Sequence, residues 1–259
     1  MAMKIARYLG QHGEILEGVV DGDEVHEISG LDAMLRGGRR VGGKKKLAEV
    51  QLLPWGLGRK IVAVGRNYAD HAKELGNELP KSPLLFMKPT SALIGHGQAI
   101  VLPPQSVSSN VQYEAEMAVV IGKRLKGAGE AECAKAVAAI TCLNDVTARD
   151  IQKAEVQFTR AKGFDTFCPV GPWAVTDLDW SALRVQCRVN GETKQDGNTK
   201  DQVFPVPKLL AFISAGMTLE PGDVVTTGTP AGVSAFKAGD VIEIEVEGVG
   251  VLRNEVRAE

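Results

Sequence analysis

Glycine is the residue that most constrains the fold of this chain, since 29 of its 259 residues are glycine and only 5% are aromatic. Glycine adopts the backbone conformations of tight turns at little steric cost, and it weakens helix interiors. We therefore expect many short strands joined by turns, with few long helices. Apolar residues at 44% and charged residues at 24% are ordinary for a globular protein, which excludes a disordered or collagen-like chain.

The charge is nearly balanced, with 30 Lys and Arg against 32 Asp and Glu. This balance gives no electrostatic reason to expect a nucleic-acid or membrane partner. No apolar run reaches the roughly 20 residues needed to cross a bilayer, and the first residues do not resemble a secretory signal. We expect a soluble cytoplasmic protein with four reduced, buried thiols, because its cysteines lack short paired spacings. They are Cys133, Cys142, Cys168 and Cys187.

The N-terminal part is predicted to be a small β-rich domain covering residues 1–58. Its strands are expected at residues 4–9, 14–20 and 24–28, with a tight turn at Asp21-Gly22. A short helix is expected at 31–36, followed by a basic, glycine-rich stretch at 37–46. We interpret that stretch as a solvated loop, in preference to a phosphate or nucleic-acid patch.

Residues 59–259 are predicted to form the second, larger domain. It begins with a buried strand at 60–65, and three segments are expected to be helical: 68–75, 130–139 and 147–157. Elsewhere strand patterns recur between turns such as Asn190-Gly191, and further strands are expected at 241–246 and from residue 251. The fold class is therefore α+β and strand-dominated. No GxGxxG or Walker-type loop supports nucleotide binding.

Two glutamates lie two residues apart in the stretch Tyr113-Glu114-Ala115-Glu116, at the start of an apolar run. In a strand such residues share a face, and the next residues on that face, Ala118 and Val120, are expected to be buried. Two carboxylates entering a buried face repel each other and need a cation or a proton. The alternative is an exposed strand end with two solvated acids.

A third acid, Asp145, follows another apolar stretch. If a helix begins there, Asp145, Arg149 and Gln152 share one helical face. They form either an ordinary i,i+4 ion pair near a helix start or a metal ligand beside an anion-binding guanidinium. Three carboxylates without His or Cys partners would favour a hard cation, Mg²⁺ or Mn²⁺.

His71 and Glu74 are three residues apart in a predicted helix, with Asn67 as its expected N-cap. A carboxylate beside an imidazole orients the ring and raises its basicity, which suits a general base. The alternative is a casual contact on a surface helix.

Two lysines and one loop are also candidates for the site. Lys88 ends an apolar strand before a proline, and Lys162 lies among small and apolar residues, where burying an ammonium requires an anionic partner. The loop containing Gly228 and Thr229 is rich in hydroxyls and backbone N–H groups. It is either a plain hairpin loop or a binding site for a carboxylate.

Taken together, these segments resemble the fumarylacetoacetate hydrolase family, from about residue 60 to the C-terminus and in the right order. The motifs that carry the resemblance are Gly65-Arg66-Asn67-Tyr68 with His71 and Glu74, Phe86-Met87-Lys88-Pro89, Tyr113-Glu114-Ala115-Glu116, Asn144-Asp145-Val146-Thr147-Ala148-Arg149-Asp150 with Gln152, Ala161-Lys162-Gly163-Phe164-Asp165, Pro221-Gly222-Asp223 and Thr227-Gly228-Thr229-Pro230.

The resemblance implies a mixed β-roll, usually dimeric, with Mg²⁺ or Mn²⁺ at the site. It implies that the metal ligands are Glu114, Glu116 and Asp145 and that Lys162 is a catalytic cation near the bound oxyanion. His71 and Glu74 would activate water on a mobile lid helix. The implied substrate contacts are Lys88, Arg149, Gln152, Gly228 and Thr229.

The activity expected from this resemblance is hydrolysis of a C–C bond in an acylpyruvate or related β-diketo acid, a small 2-oxo acid. The same chemistry serves oxaloacetate decarboxylation and isomerisation of 2-hydroxyhepta-2,4-diene-1,7-dioate, which stay open as alternatives. A hypothesis of another class is a non-catalytic binder of small dicarboxylates. His71 and Glu74 favour an enzyme over a binder, because binding alone requires no general base.

Overall fold

A computed structural model describes residues 2–30 and 40–259 of the chain. Nineteen strands and five α-helices lie within these residues. The N-terminal strands are β1 (Lys4–Leu9), β2 (Ile15–Asp21), β3 (Glu24–Ile28), β4 (Arg40–Lys46) and β5 (Leu52–Leu53). The next are β6 (Ile61–Gly65), β7 (Leu84–Lys88), β8 (Leu93–Ile94), β9 (Ile100–Leu102), β10 (Val111–Gln112), β11 (Ala115–Ile121), β12 (Val137–Asn144), β13 (Thr147–Ala148) and β14 (Cys168–Val175). The last are β15 (Arg184–Val189), β16 (Glu192–Asn198), β17 (Val224–Thr226), β18 (Val241–Val246) and β19 (Gly250–Ala258).

The helices are short except for the last one. They are α1 (Ala69–Glu74), α2 (Glu130–Ala134), α3 (Arg149–Ala154), α4 (Thr159–Lys162) and α5 (Val206–Gly216). The strand-dominated fold class is thereby confirmed.

The strands form one large mixed sheet and two smaller sheets. The large sheet runs in the order β4-β3-β2-β1-β14-β12-β11-β17-β6-β7, with β5 beside β1 and β8 beside β14. A five-stranded sheet runs β16-β15-β18-β19-β9, and β10 pairs with β13. Most pairs are antiparallel, whereas β17 with β6, β14 with β8 and β19 with β9 are parallel.

Strand β11 lies at the centre of the fold, between β12 and β17 in the large sheet. All of its residues are buried, because it packs against apolar side chains on both faces. Ala118 and Val120 face one hydrophobic cluster and Met117 and Val119 another, as the two-residue alternation of a strand requires. The predicted burial of Ala118 and Val120 is confirmed.

The hairpins follow the turn residues in the sequence. Gly22 has a φ of 60° between β2 and β3, and Asn190-Gly191 joins β15 to β16 with φ values of 52° and 82°. These positive values suit the two-residue turns that match strand twist. The predicted strands in these hairpins and the strands β6, β18 and β19 are confirmed, within a residue or two at their ends.

The helix predictions were partly wrong. The segment 130–139 is helical only over α2, since residues from Val137 onward pair with β11 as part of β12. Helix α3 begins at Arg149, two residues later than predicted. Helix α5 was not predicted at all, although its apolar residues recur at helical spacing. The helix predicted at 31–36 lies outside the described residues.

The N-terminal strands continue the large sheet, because β1 pairs with β14. Ile5, Val19 and Trp55 pack in the same hydrophobic cluster as Val120 and Val170. A boundary near residue 58, with domains 1–58 and 59–259, stays a prediction.

All four cysteines are buried, and none is in a disulfide. Among the described residues, no helix is long and apolar enough to cross a membrane.

Candidate active site

Three carboxylates meet where β11 begins and β12 ends. Glu114 and Glu116 are at the start of β11, and Asp145 follows β12; one carboxylate oxygen of each lies within 4.8 Å of the others. The β11–β12 pairing holds them together, since the Asp145 N–H donates to the Glu114 carbonyl at 2.9 Å. All three are at least 96% buried, so the alternative of solvated acids is wrong.

Asp145 is not on a helix with Arg149, contrary to the sequence prediction. Strand β13 (Thr147–Ala148) separates the two residues, and α3 begins only at Arg149. They still come close in space, because Arg149 reaches back to the oxygen of Glu114. Strand β13 pairs with β10 and leads directly into α3, which begins at Arg149.

Two buried lysines contact the acids. Lys162, at the end of α4, donates to Glu114 Oε2 at 2.8 Å and to Asp145 Oδ2 at 2.5 Å. Lys88, at the end of β7, donates to Asp145 Oδ1 at 2.6 Å and has a fully buried side chain. The anionic partners that the sequence required for these ammonium groups are therefore present. Although burial disfavours its charged form, Asp145 and Glu114 raise the pKa of Lys162.

The two glutamates have opposite pKa shifts. Burial alone would raise the pKa of Glu114, but the charges of Lys162 and Arg149 outweigh it and hold that pKa well below its usual range. Burial, together with the nearby charges of Asp145 and Glu114, raises the pKa of Glu116 to about 8. Within the described part of the chain, Glu116 forms no ion pair; its Oε2 accepts a hydrogen bond from the Gly228 N–H at 2.8 Å.

This donor set fits a hard divalent cation. The ligand atoms are all carboxylate oxygens, as Mg²⁺ and Mn²⁺ prefer. Glu116 is buried beside two other acids without a cation of its own in the described ranges, so its ionised form requires additional positive charge. Glu114, Glu116 and Asp145 are the residues that could hold the metal.

His71 and Glu74 form a pair on α1. His71 Nδ1 lies 3.4 Å from Glu74 Oε2, and the ring is 4% exposed. Glu74 also accepts the Gly232 N–H, at 3.1 Å and 3.2 Å to its two oxygens, which ties α1 to the loop after β17. Burial lowers the pKa of His71, and the charge of Arg149 lowers it further against the opposing effect of Glu114. This shift favours the neutral form of the ring at pH 7.

Asn67 is not the N-cap of α1, contrary to prediction; that position is occupied by Tyr68. The Asn67 amide instead donates to the Phe204 and Thr227 carbonyls, at 3.1 Å and 2.8 Å, and accepts the Phe204 N–H at 2.8 Å. Asn67 thus joins the segment before α1 to two distant loops.

A cavity of about 300 Å³ brings these groups together. It is lined by Val64, Gly65, Arg66, His71, Leu75, Asn77, Phe86, Glu114, Glu116, Asp145, Arg149, Gln152, Lys153, Phe158, Lys162 and Thr229. The three acids, the His71 ring and two of the buried cations therefore face one space. This arrangement can bind an anion beside a metal and move a proton.

Arg149 and Gln152 retain hydrogen-bond donors for a ligand. The Arg149 guanidinium donates to Gln112, Gln152 and Glu114, which uses three of its five N–H groups. Because the Gln152 side-chain oxygen accepts from Arg149, its amide NH₂ is left as a donor. Both residues line the cavity.

The other predicted substrate contacts occupy less direct positions. Lys88 does not line the cavity and lies behind Asp145. The Gly228 N–H donates to Glu116, and Thr229 Oγ1, which lines the cavity, accepts from Gln195 at 2.7 Å. Substrate contact by these three residues stays a prediction.

Sequence reasoning missed several residues of the site. Gln195 is fully buried and joins the start of β11 to the loop after β17, but nothing in its polar strand sequence indicates this. Arg66 and Lys153 line the cavity and form no ion pair within residues 2–30 and 40–259. Arg66 has a φ of 57°, which is unusual for a residue with a side chain. Because Arg66 follows Gly65 in one of the family motifs, the sequence could have indicated it as a candidate site residue.

Residues 60–257 match the family described as "Fumarylacetoacetate (FAA) hydrolase C-terminal". The chain belongs to this family. Residues 3–54 match a second family, described as "Rv2993c-like, N-terminal".

Curated relatives support the assignment across most of the chain. The protein MJ1656 of Methanocaldococcus jannaschii is 52% identical over 200 residues, which cover 77% of this chain and 84% of that protein. The mitochondrial oxaloacetate decarboxylase of Dictyostelium discoideum is 44% identical over 75% of this chain and 92% of its own length. The human mitochondrial oxaloacetate tautomerase FAHD2A is also 44% identical, over 76% of this chain and 66% of its own length.

Solved structures of this family share the whole fold. The 5-carboxymethyl-2-hydroxymuconate delta-isomerase of Mycobacterium smegmatis is 39% identical with a TM-score of 0.90, covering 99% of this chain and 100% of that one. The fumarylacetoacetate hydrolase of Exiguobacterium antarcticum is 35% identical with a TM-score of 0.86, at the same coverage. This chain is thus similar to enzymes with different names within one fold.

Proposed function

We propose that this protein transfers a proton at the carbon next to the oxo group of a small 2-oxo dicarboxylate, as in keto–enol tautomerisation of oxaloacetate. The observation that carries the proposal is the position of the neutral His71 ring, which shares one cavity with the three buried acids. A general base must face the substrate, and the acids define where a metal-chelating 2-oxo acid would lie.

Glu114, Glu116 and Asp145 would hold Mg²⁺ or Mn²⁺. When bound, the metal supplies Lewis-acid polarisation of the 2-oxo acid carbonyl. It also changes the charge of the site. The three acids are balanced by Lys88, Arg149 and Lys162, so a divalent ion leaves these groups with an excess of positive charge. Arg66 and Lys153, which line the same cavity without an ion pair in the described ranges, add to that excess. The two negative charges of a dicarboxylate offset part of it.

The residues of this chain divide the remaining tasks. If Nδ1 of His71 carries its proton toward Glu74, then Nε2 is the unprotonated atom that accepts the proton from C3 of the substrate. The electron pair of the broken C–H bond forms a double bond between C3 and C2 as the π pair of the carbonyl moves to its oxygen. The N–H groups of Lys162 and Arg149 offset the negative charge on that oxygen. Return of the proton to that oxygen completes the enol.

Arg66 and Lys153 would bind the second carboxylate of the substrate. Both line the cavity, and no acidic side chain within the described ranges forms an ion pair with them. The left-handed backbone at Arg66 is a conformation that is more often retained where a function depends on it. These two cations favour a dicarboxylate over a monocarboxylate.

The names of the relatives support this class of reaction. Proteins named oxaloacetate decarboxylase and oxaloacetate tautomerase are 44% identical to this chain. An isomerase of a hydroxymuconate derivative is 39% identical over nearly all of it. All three names describe changes at a 2-oxo or 2-hydroxy-enoic acid. In decarboxylation of oxaloacetate, the C3–C4 bond breaks instead of a C–H bond, and CO₂ leaves.

The second candidate is hydrolysis of a C–C bond in an acylpyruvate. The observation that favours it is the His71–Glu74 pair, which is equally suited to remove a proton from water. The hydroxide would attack the distal carbonyl, and the pyruvate enolate would leave with the electrons of the C–C bond. Similarity to the Exiguobacterium hydrolase is consistent with this reaction.

The test is a substrate panel with the purified protein. Oxaloacetate keto–enol exchange, pyruvate formation from oxaloacetate, acetylpyruvate hydrolysis and hydroxydienedioate isomerisation are measured with Mg²⁺, with Mn²⁺ and with EDTA. We expect metal-dependent enol exchange of oxaloacetate to be the fastest activity and to decrease strongly in His71→Gln.

Three outcomes would overturn the proposal in different ways. Faster acetylpyruvate hydrolysis would establish the second candidate. Pyruvate and CO₂ formation without enol exchange would make the protein a decarboxylase. Binding of oxalate without turnover of any 2-oxo acid would make it a dicarboxylate binder.

A further inference from the structure

A second cavity lies where the N-terminal strands meet the far end of β11. Its volume is about 240 Å³, and it shares no lining residue with the active-site cavity. Arg7 and Glu17 line it from β1 and β2, Trp55 and Arg59 from the segment before β6, and Ile121 from the end of β11. A cavity of this size admits only a small ligand, since drug-sized ligands require roughly 300 Å³ or more.

Two buried polar atoms at this cavity have no hydrogen-bond partner among residues 2–30 and 40–259. The indole N–H of Trp55 is one, although the residue is only 3% exposed. Arg7 Nε is the other; Glu17 Oε1 is 3.4 Å away, which counts as an ion pair but without hydrogen-bond geometry. Buried donors are almost always paired in folded proteins, so two donors at one cavity that lack a partner in the described part of the chain indicate a place for an acceptor.

The charges at the cavity also indicate an anion. Arg7 and Arg59 contribute two positive charges, against one negative charge from Glu17. Burial, opposed by Glu17, lowers the pKa of Arg7, and the nearby charge of Arg59 lowers it further. Arg59 is exposed and forms no ion pair in the part of the chain that the structure describes. Among the described residues that line the cavity, one positive charge is therefore in excess.

The remaining wall of the cavity is apolar. Leu57, Val120, Ala138 and Pro221 contribute to it, and the Trp55 ring packs beneath the Arg7 guanidinium at 5.5 Å. A ligand that matches both parts has one anionic end and a small apolar body.

We propose that this cavity binds a small organic monocarboxylate. The carboxylate accepts hydrogen bonds from Trp55 Nε1 and Arg7 Nε, Arg59 adds a second positive charge, and the apolar body contacts Leu57 and Pro221. The site is independent of the activity proposed above, since none of these residues lines the active-site cavity.

The test uses benzoate as the probe and the indole N–H signals of the full-length ¹⁵N-labelled protein as the readout. The chain has three tryptophans, and Trp55→Phe identifies the signal of Trp55. Trp173 is an internal control, because its indole N–H already donates to the Val249 carbonyl at 2.6 Å. We expect benzoate to shift the Trp55 signal downfield with saturation, while Trp173 stays in place. Benzyl alcohol, which lacks the charge, should not produce this shift.

Arg59→Gln tests the charge without endangering the fold, because Arg59 is exposed. We expect about tenfold weaker benzoate binding, as for the loss of one interaction with a charged group. Arg257→Gln, which changes another exposed arginine, should bind benzoate like the parent protein. The proposal is overturned if the Trp55 signal does not move, if all three indole signals move together, or if Arg59→Gln binds benzoate as tightly as Arg257→Gln.

Discussion

Glu116 differs from the other two acids of the site at the level of single contacts. Glu114 has Arg149 and Lys162 as partners, and Asp145 has Lys88 and Lys162. Glu116 has no cationic partner within the described residues and accepts a hydrogen bond from the backbone of Gly228. Its negative charge is therefore the one that a bound metal would stabilise most.

Replacing Glu116 by Gln should separate metal binding from folding. We expect the metal-free variant to unfold at the same temperature as the parent or higher. Burial beside two acids raises the pKa of Glu116 to about 8, so folding near pH 7 requires this carboxyl to take up a proton, a cost that the neutral Gln side chain avoids. We expect Mn²⁺ to stabilise the variant far less, with an affinity lowered by at least the roughly 10–100-fold that loss of an outer-shell partner costs. Thermal unfolding with EDTA and with MnCl₂ measures both effects.

The matched control for this prediction is Glu192→Gln, which changes an exposed glutamate on β16. It should keep the full Mn²⁺-dependent increase in unfolding temperature. Retention of the same increase in Glu116→Gln would show that Glu116 is not a metal ligand.

His71 should control the acid side of the pH–activity profile. Burial lowers its pKa below the ordinary value of about 6.5, so the unprotonated base is present at neutral pH and is lost only as the pH falls through this lowered pKa. We expect kcat/KM to be constant around pH 7 and to decrease below about pH 6.5. His71→Gln should lower kcat by about 10²–10⁴-fold and remove the dependence on this group. An unchanged acid limb in the residual activity of the variant would assign that limb to another group.

Substrate selectivity should depend on Arg66. Its charge faces the cavity without an acidic partner in the described ranges. We expect Arg66→Gln to raise the KM for oxaloacetate by about tenfold, as for one charged hydrogen bond, with a much smaller effect on acetylpyruvate. Steady-state kinetics with both substrates measure this difference. Equal increases for both would show that Arg66 does not recognise the second carboxylate.

At the level of elements, the strands were predictable and the helices less so. The alternation around Glu114 and Glu116 is enough to place both on one face, and β11 follows it. The segment 130–139 was predicted to be helical because it is rich in alanine, which favours helix. The prediction was wrong for the residues after Ala136, since they pair with β11 as a strand. Tertiary pairing therefore overrode local preference. Helix α5 carried a readable pattern, since Val206, Leu209, Leu210 and Ile213 are buried at helical spacing.

Contacts between distant loops could not be read from the sequence. Asn67 was predicted as a helix cap because it is near the start of α1, but its amide is used by Phe204 and Thr227. Both partners are more than 130 residues away. The family resemblance predicts the acids and His71 as site residues, whereas their hydrogen-bond partners depend on the packing of these loops.

The position of α1 should depend on Asn67. The helix has six residues, too few to be stable alone. We expect Asn67→Ala to lower the free energy of unfolding by about 2–4 kcal/mol, because it leaves buried backbone groups of Phe204 and Thr227 without partners. Asn198→Ala removes an exposed hydrogen bond, in which the Lys200 N–H donates to the Asn198 side chain, and it should lower the free energy of unfolding by less. Chemical denaturation of both variants measures the difference, and equal costs would contradict this role of Asn67.

On the scale of the whole molecule, the N-terminal strands and residues 59–259 share one large sheet. Strand β1 is hydrogen-bonded to β14, and Ile5, Val19 and Trp55 pack with Val120 in one hydrophobic cluster. Residue Val120 is on β11, the strand that begins beside the acids. Separation of residues 1–58 from the rest would therefore expose apolar surface on both parts.

We expect the two parts to unfold together. A variant that keeps Trp55 as its single tryptophan reports by fluorescence on residues 1–58, and one that keeps Trp180 reports on residues 59–259. Since exposure of the shared cluster penalises any state in which one part is unfolded, both fluorescence signals should change at the same denaturant concentration. Loss of the Trp55 signal at a lower concentration than the Trp180 signal would show that residues 1–58 form an independently unfolding domain. In that case the contacts of β1 with β14 and of Trp55 with β11 would contribute little to stability. The boundary near residue 58 would then separate two parts of the chain that unfold independently.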